Sequence, residues 1–326
     1  MRIRPWIEMT RPFTLLPPLL GILSGSACAW GSAHNPYPAF TAPVFWSLLL
    51  GSLCASLMNA ASNIVNQVYD LEIDRVNKPK RPLCTGEATV PEAMAGSAVM
   101  YALSLIPVWW IVPPPHDGGF WERASAPLSA HACFWIYLGG LVCTFVYSAP
   151  YLGRTKRFGL WANATIALAR GELLKVAGWA MVAPVNLVEP WYLGAVFFFF
   201  LLGASSTKDF SDMEGDRQGG CRTLPVVYGP KKAAWMIAPS FVLPWLLFPL
   251  GLILPASGGD SLLTGNPALL LLLAGLLVGW GGWTVAGILR NPEALAATEN
   301  HPSWTEMYGM MMAAQIGLGA AYLIRF

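Results

Sequence analysis

Long apolar runs separated by short polar segments make up almost the whole chain. The runs predict nine spans, at about 13–31, 44–67, 91–112, 131–150, 161–183, 190–207, 232–254, 268–289 and 304–324. Each is near the ~20 residues that a helix needs to cross about 30 Å of hydrocarbon. The fold class expected is therefore all-α: a polytopic membrane protein of about nine transmembrane helices, forming one integral domain over residues 1–326. Residues 1–12, with Arg2, Arg4 and Arg11 around Trp6, read as a short interfacial amphipathic segment. The run that follows reads as a first span, because it lacks a small-residue cleavage site. Pro107, Pro184, Pro239, Pro244 and Pro249 are expected to kink or end helices. Gly171, Gly178, Gly279 and Gly281 are expected to allow close helix contacts.

Cations fix an orientation. One set of span ends carries Arg2, Arg4, Arg11; Arg75, Lys78, Lys80, Arg81; Arg154, Lys156, Arg157; Lys208, Arg217, Arg222, Lys231, Lys232; and Arg290. The opposite ends carry Arg123 and Arg325. By the positive-inside rule the N-terminus and the cation-rich loops are cytoplasmic, in a cell inner or plasma membrane.

Two polar segments interrupt this pattern, residues 63–83 and 208–229. In the first, Asn66, Asp70 and Asp74 recur every four residues and share a helical face. In the second, Asp212 and Asp216 repeat that spacing, with Asp209 one turn earlier. Like charges at such spacing repel unless a counter-cation lies between them. Carboxylate and amide oxygens suit Mg²⁺, which completes its shell with substrate phosphate. Two such groups on two helices match a clamp for metal ions around one diphosphate. Lys78, Arg81, Lys156, Arg157, Lys208, Arg217 and Arg222 are the candidate donors to its phosphate oxygens. Pro79 and Pro82 in the first segment, and Gly215, Gly219 and Gly220 in the second, turn the chain into loops expected to cover the acidic sites. Tyr69, Tyr147, Tyr151 and Phe210 are aromatic candidates for stabilising an allylic cation.

Composition agrees. Of 326 residues 55% are hydrophobic and only 12% charged, against about 25% in soluble domains. The net charge of +2, with no basic patch interleaved with aromatics, gives no sign of nucleic-acid binding. The six cysteines are scattered without zinc spacing and read as small buried hydrophobes. The run 161–183 contains Arg170, Glu172 and Lys175. Glu172 and Lys175 are placed for an i,i+3 ion pair, while Arg170 points to the opposite side and the interior. Acidic motifs close the second and sixth spans, as an internal duplication of four-helix halves would arrange them.

The chain resembles the UbiA superfamily of intramembrane prenyltransferases. Asn66, Asp70 and Asp74 match the family's first motif, and Arg75, Asn77, Lys78, Pro79, Arg81, Pro82 and Leu83 match the segment after it. Asp212 and Asp216, followed by Gly220, Thr223, Leu224 and Pro225, match the second. The resemblance implies a helical cavity capped by cytoplasmic loops. It implies Mg²⁺ as cofactor, held by Asn66, Asp70, Asp74, Asp212 and Asp216, with Asp209 assisting deprotonation or supporting the metal shell. The implied partners are a prenyl diphosphate donor, a hydrophobic acceptor and membrane lipid. The branch is mixed. Asn66-Gln67 is similar to homogentisate prenyltransferases, whereas the second motif is closer to digeranylgeranylglyceryl phosphate synthases and chlorophyll synthases. Gln67 stands where many members carry a carboxylate. A membrane terpene cyclase, or a diphosphate-cleaving enzyme with no second substrate, would use the same metals; a transporter fits the one-sided carboxylates less well.

Overall fold

The computed structural model describes residues 3–256, 259–297 and 301–324. Arg2 and Arg325, which entered the charge count, lie outside the described residues. A short amphipathic helix, α1 (Ile3–Thr10), precedes the membrane portion. Seven helices are long and apolar enough to span: α2 (Pro12–Gly31), α3 (Ala42–Tyr69), α5 (Val90–Trp110), α6 (Leu128–Ser148), α8 (Val188–Lys208), α10 (Leu224–Ile253) and α11 (Pro267–Arg290). Between them lie two short helices, α4 (Leu71–Asn77) and α9 (Met213–Gln218).

The other two expected spans are helical but fall short of that standard. α7 runs from Leu160–Ala167 through a π-helical turn, Leu168–Leu173, into Leu174–Ala180. It carries Arg170, Glu172 and Lys175. α12 (Pro302–Leu323) is rich in Met, Gly and Ala and includes Glu306 and Gln315. By length and apolarity the expected nine therefore become seven among the described residues.

α2 is the common partner, packed against α3, α7 and α12. A Cβ on Gly178 would meet the backbone of Ile22, and one on Gly25 the backbone around Lys175, so α2 and α7 touch through glycine. Gly279, in contrast, faces open space. The core between α7, α8 and α10 is aromatic, with Trp179, Phe197, Phe200, Phe241, Trp245 and Phe248 all buried. The outer faces expose large apolar side chains such as Trp46, Leu103, Leu276 and Trp283. Bare apolar rods of this length belong in lipid, and the chain is a multi-pass membrane protein.

Three amides on one face of α3 dock the N-terminal segment. Asn59 donates to Thr14 O (2.9 Å), Asn63 to Thr10 O (2.8 Å) and Gln67 to Met9 O (2.8 Å). Gln67 is thus occupied in holding α1. Pro239 and Pro244 loosen α10 into 3-10 turns, as expected. Pro249 does not break it, because it sits in the first turn of Leu247–Ile253, where a missing N–H loses no bond.

The Glu172–Lys175 ion pair does not form. Lys175 is fully buried, donates to Ser24 Oγ (2.8 Å) and to Gln315 Oε1, and lies over the Phe197 ring at 4.7 Å. The π turn changes the angular step between residues, so α-helical spacing misplaces Glu172.

Candidate active site

α3 ends at Tyr69, and Asp70 leaves the helical basin (φ −98°, ψ 10°). The turn survives the break: Asp70 N donates to Asn66 O (2.9 Å) and Asp74 N to Asp70 O (2.8 Å). α4 then carries Asp74 in its first turn. The second motif repeats this geometry. Asp212 has φ −99° and ψ 3°, Asp216 N donates to Asp212 O (3.0 Å), and α9 carries Asp216 in its first turn. The two short helices lean on each other through Asn77. Its Nδ2 donates to Asp212 O (3.0 Å) and its Oδ1 accepts from Gly215 N (3.0 Å). A Cβ on Gly215 would run into the Asn77 side chain, so glycine is what admits this contact. The backbone likeness is what an internal duplication would leave.

The two motifs open onto one cavity of about 780 Å³. Asn66, Asp70, Asp74, Asp209, Asp212 and Asp216 all line it, as do Lys78, Arg81, Lys156 and Lys208. A smaller apolar pocket of about 80 Å³ adjoins it and is walled partly by Met58, Ile136, Tyr137 and Leu173. The two share Pro18, Ser62, Thr144, Ala169, Arg170 and Leu174.

Side-chain cations meet most of the carboxylates. Asp70 Oδ1 accepts from Arg154 (2.9 Å), and Oδ2 from Asn66 (3.0 Å) and Lys156. Asp74 pairs with Arg81, and Asp212 Oδ1 with Lys78 (2.6 Å). Lys156 also stands 4.0 Å from Asp216 Oδ1 and so bridges the two motifs. These contacts set the proton affinities. Burial pushes Asp70 upward, but Lys156 and Arg154 together outweigh it and hold Asp70 below the usual range. Burial likewise opposes the charge on Lys156, and Asp70, Tyr147 and Asp216 more than restore it, leaving its pKa raised. Asp74 is raised by burial against the pull of Arg81. Burial raises Asp216 to about 6, with Asp212 and Asp70 adding to it and Lys156 opposing. Burial and then Asp216 raise Asp209 to about 8.

Among the described residues no three acidic, His or Cys side chains form a ready-made metal cage. The donor set still fits Mg²⁺. It offers carboxylate and amide oxygens only, from two facing walls, with the rest of the shell left to phosphate and water.

Three expected donors are not brought to the cavity. Arg157 and Arg222 are exposed and meet through their backbones (Arg222 N to Arg157 O, 3.1 Å). Arg217 pairs with Glu214 on the surface at 3.3 Å. Of the aromatic candidates only Tyr147 lines the cavity. Tyr69 and Tyr151 bond each other outside it (2.8 Å), and Phe210 is in the core. Sequence reasoning missed Arg154, whose left-handed turn (φ 43°) after Gly153 aims a buried guanidinium at Asp70. Its place two residues before Lys156 was the available signal. It also missed Arg11, Lys80 and the aromatic wall of Phe13, Trp304 and Tyr308, all on the cavity. These come from distant segments and share no local pattern.

The family model described as the UbiA prenyltransferase family matches residues 19–297. The digeranylgeranylglyceryl phosphate synthase of Methanoculleus marisnigri is 30% identical over 71% of this chain and 71% of its own. Homogentisate phytyltransferase 1 of Arabidopsis thaliana is 31% identical over 70% of this chain and 55% of its own. Among solved structures, a UbiA homolog from Archaeoglobus fulgidus bound to GPP and Mg²⁺ superposes with a TM-score of 0.67 at 21% identity. That match covers 98% of this chain and 99% of the other.

Proposed function

The chain belongs to the UbiA prenyltransferase family, and from that premise we propose that its two aspartate motifs hold a prenyl diphosphate as the Mg²⁺ complex and pass the prenyl group to a lipophilic acceptor. The observation that carries this reading is the pair of matched turns, Asp70–Asp74 and Asp212–Asp216, facing each other across one cavity with an apolar annex. Asn66, Asp70, Asp74, Asp212 and Asp216 are the metal-holding residues in this reading. Bound there, Mg²⁺ supplies neutralisation of the charge that collects on the diphosphate as the allylic C–O bond breaks.

The protein's own side chains do the rest. Lys78, Arg81 and Lys156 each sit on a motif carboxylate and are the donors to the diphosphate in this reading. Moving from carboxylate to phosphate oxygen keeps them paired throughout, so the site needs no solvent counterion. The apolar annex takes the tail and keeps water from the allylic carbon, where water would quench a cation. The acceptor's nucleophilic atom bonds to that carbon, diphosphate leaves with the C–O electron pair, and the acceptor's proton departs. Asp209, beside Asp216, assists that departure or supports the metal shell. Family relatives are named for glyceryl phosphate, homogentisate and chlorophyll products, and the acceptor here is of that lipophilic kind. Cation-bearing segments around 77–81, 156 and 208 line the cavity, which supports a cytoplasmic site in the cell membrane.

The test is transfer by purified protein with Mg²⁺, labelled prenyl diphosphates and a lipid extract of the host. Labelled lipid formed only with the extract is the result expected. A hydrocarbon or prenol released without any acceptor would replace transfer by cyclisation or simple cleavage.

A further inference from the structure

The helix of the first motif ends on a residue that serves the second. Asn77, the last residue of α4, gives both ends of its amide to the backbone of α9. Its Nδ2 donates to Asp212 O and its Oδ1 accepts from Gly215 N, each at 3.0 Å. Asp212 immediately precedes α9, and Gly215 is the third residue of that helix. The first N–H groups of a helix have no partner within it. An Asp in front of the helix ordinarily takes one of them with its own carboxylate, from an extended backbone. Asp212 does not: its φ of −99° and ψ of 3° are not extended, and its side chain makes no cap. Its Oδ1 accepts from Lys78 (2.6 Å) on the cavity wall instead. Asn77 thus supplies from α4 the cap that Asp212 withholds.

The register of the two helices admits this contact. Counted from their aspartates, Ile73 and Asn77 of α4 correspond to Gly215 and Gly219 of α9. The contacts cross over. A Cβ on Gly215 would run into the side chain of Asn77, and one on Gly219 into that of Ile73. Two side chains of one helix thus fill two glycine gaps, four residues apart, on the other, a spacing that lets helices touch closely. Ile73 is buried and contributes apolar packing. Asn77 borders the cavity, but its amide is occupied by α9. Lys78, next in the chain, holds the Asp212 carboxylate. Residues 77 and 78 together therefore fix Asp212 by its backbone and by its side chain.

Resting on the prenyl-transfer reading above, we propose that Asn77 is a positioning residue for metal binding: it caps α9 from outside and so frees the Asp212 carboxylate for the metal–diphosphate complex. Without Asn77, the free N–H of Gly215 draws Asp212 into the ordinary capping conformation, and its carboxylate leaves the cavity. The two motifs then work as one unit, in which the first sets the direction of the second's leading aspartate.

The test measures Mn²⁺ binding in the presence of inorganic diphosphate, by electron paramagnetic resonance on the full-length protein in detergent. N77A should weaken it about tenfold, the scale of one displaced charged partner. G215A should do the same with Asn77 and Asp212 both intact, because its Cβ pushes the amide off the helix. That variant decides the question if N77A does not fold. In a D212N background, N77A should cost less than about a further twofold, since the carboxylate it positions is already gone. A brace with no part in positioning would lower the unfolding temperature and leave the Mn²⁺ affinity of the folded protein unchanged. Wild-type affinity in N77A or in G215A therefore overturns the proposal. So does a full tenfold loss from N77A on top of D212N, since Asn77 would then act on another ligand. If the wild type binds no Mn²⁺ with diphosphate, the prenyl-transfer reading itself falls, and this proposal with it.

Discussion

The two aspartate motifs share a backbone and differ in charge. Asp70 and Asp212 take nearly the same φ and ψ, and each precedes a short helix with a buried Asp in its first turn. Yet Asp70 is saturated by Arg154, Lys156 and Asn66, whereas the nearest cation to Asp216 is the distant end of the Lys156 bridge. Asp70 is held below the usual carboxylate range, whereas Asp216 is raised to about 6. One backbone turn, used twice, thus carries carboxylates of different charge preference. Asp70 is matched by cations, and Asp216 is the carboxylate with positive charge still to gain.

The strongest way to break this comparison is to neutralise each side in turn. D70N and D216N should both lower prenyl transfer by about 10²–10³-fold or more, the scale for loss of a main electrostatic group. Their stabilities should diverge. Asp70 has a lowered pKa, so its charge stabilises the fold at neutral pH, and that contribution is lost as pH falls below the usual carboxylate range. D70N strands two largely buried cations and should cost about 3 kcal/mol. Asp216 has a raised pKa, so its ionisation destabilises the apoprotein as pH rises through about 6. D216N should therefore leave the unfolding temperature in detergent unchanged or higher. Equal destabilisation by both would sink the idea of an electrostatic division.

Next comes the bridge. Lys156 pairs with Asp70 and leans toward Asp216, two of the carboxylates proposed above to hold the metal. K156M should strengthen the binding of Mn²⁺ alone, read by electron paramagnetic resonance. It should weaken the binding of Mn²⁺ with inorganic diphosphate, because a phosphate donor is gone. An effect of about tenfold in each direction is expected for one charged partner. Parallel losses in both would make Lys156 a structural residue only.

A smaller effect follows from pH. A metal ligand must be ionised, so Mg²⁺-dependent diphosphate binding should weaken as pH falls through about 6, where Asp216 takes up its proton. In D216N that step should vanish from whatever binding remains.

Much of the scaffold was legible in the chain. Seven of the expected spans are apolar rods, and the four-residue spacing of Asn66, Asp70 and Asp74 led to the cavity wall. What escaped was set by distance and by broken periodicity. The π turn in α7 turned Lys175 away from Glu172 and toward α2 and α12, and no helical wheel of period 3.6 anticipates it. Arg154 depends on a single left-handed residue, and Arg11 on the three amides that fold α1 back over α3. Gln67 stands where many family members carry a carboxylate, and its amide docks Met9 O. Charges near a motif in sequence proved a mixed guide, since Lys78 and Arg81 reach the carboxylates and Arg217 does not.

The smallest expected effect separates the two motif loops from each other. Arg217 and Arg222 follow the second motif as Lys78 and Arg81 follow the first, yet Arg217 forms an exposed i,i+3 pair with Glu214 and Arg222 is exposed. Surface pairs of this kind contribute roughly 0–1 kcal/mol. R217Q and R222Q should therefore change transfer by less than about twofold, against the large loss in D216N a residue away from Arg217. A tenfold loss in either variant would mean that the loop after α9 swings over the cavity once diphosphate is bound. Asp216 would then gain, with diphosphate bound, cations like those that Asp70 already holds.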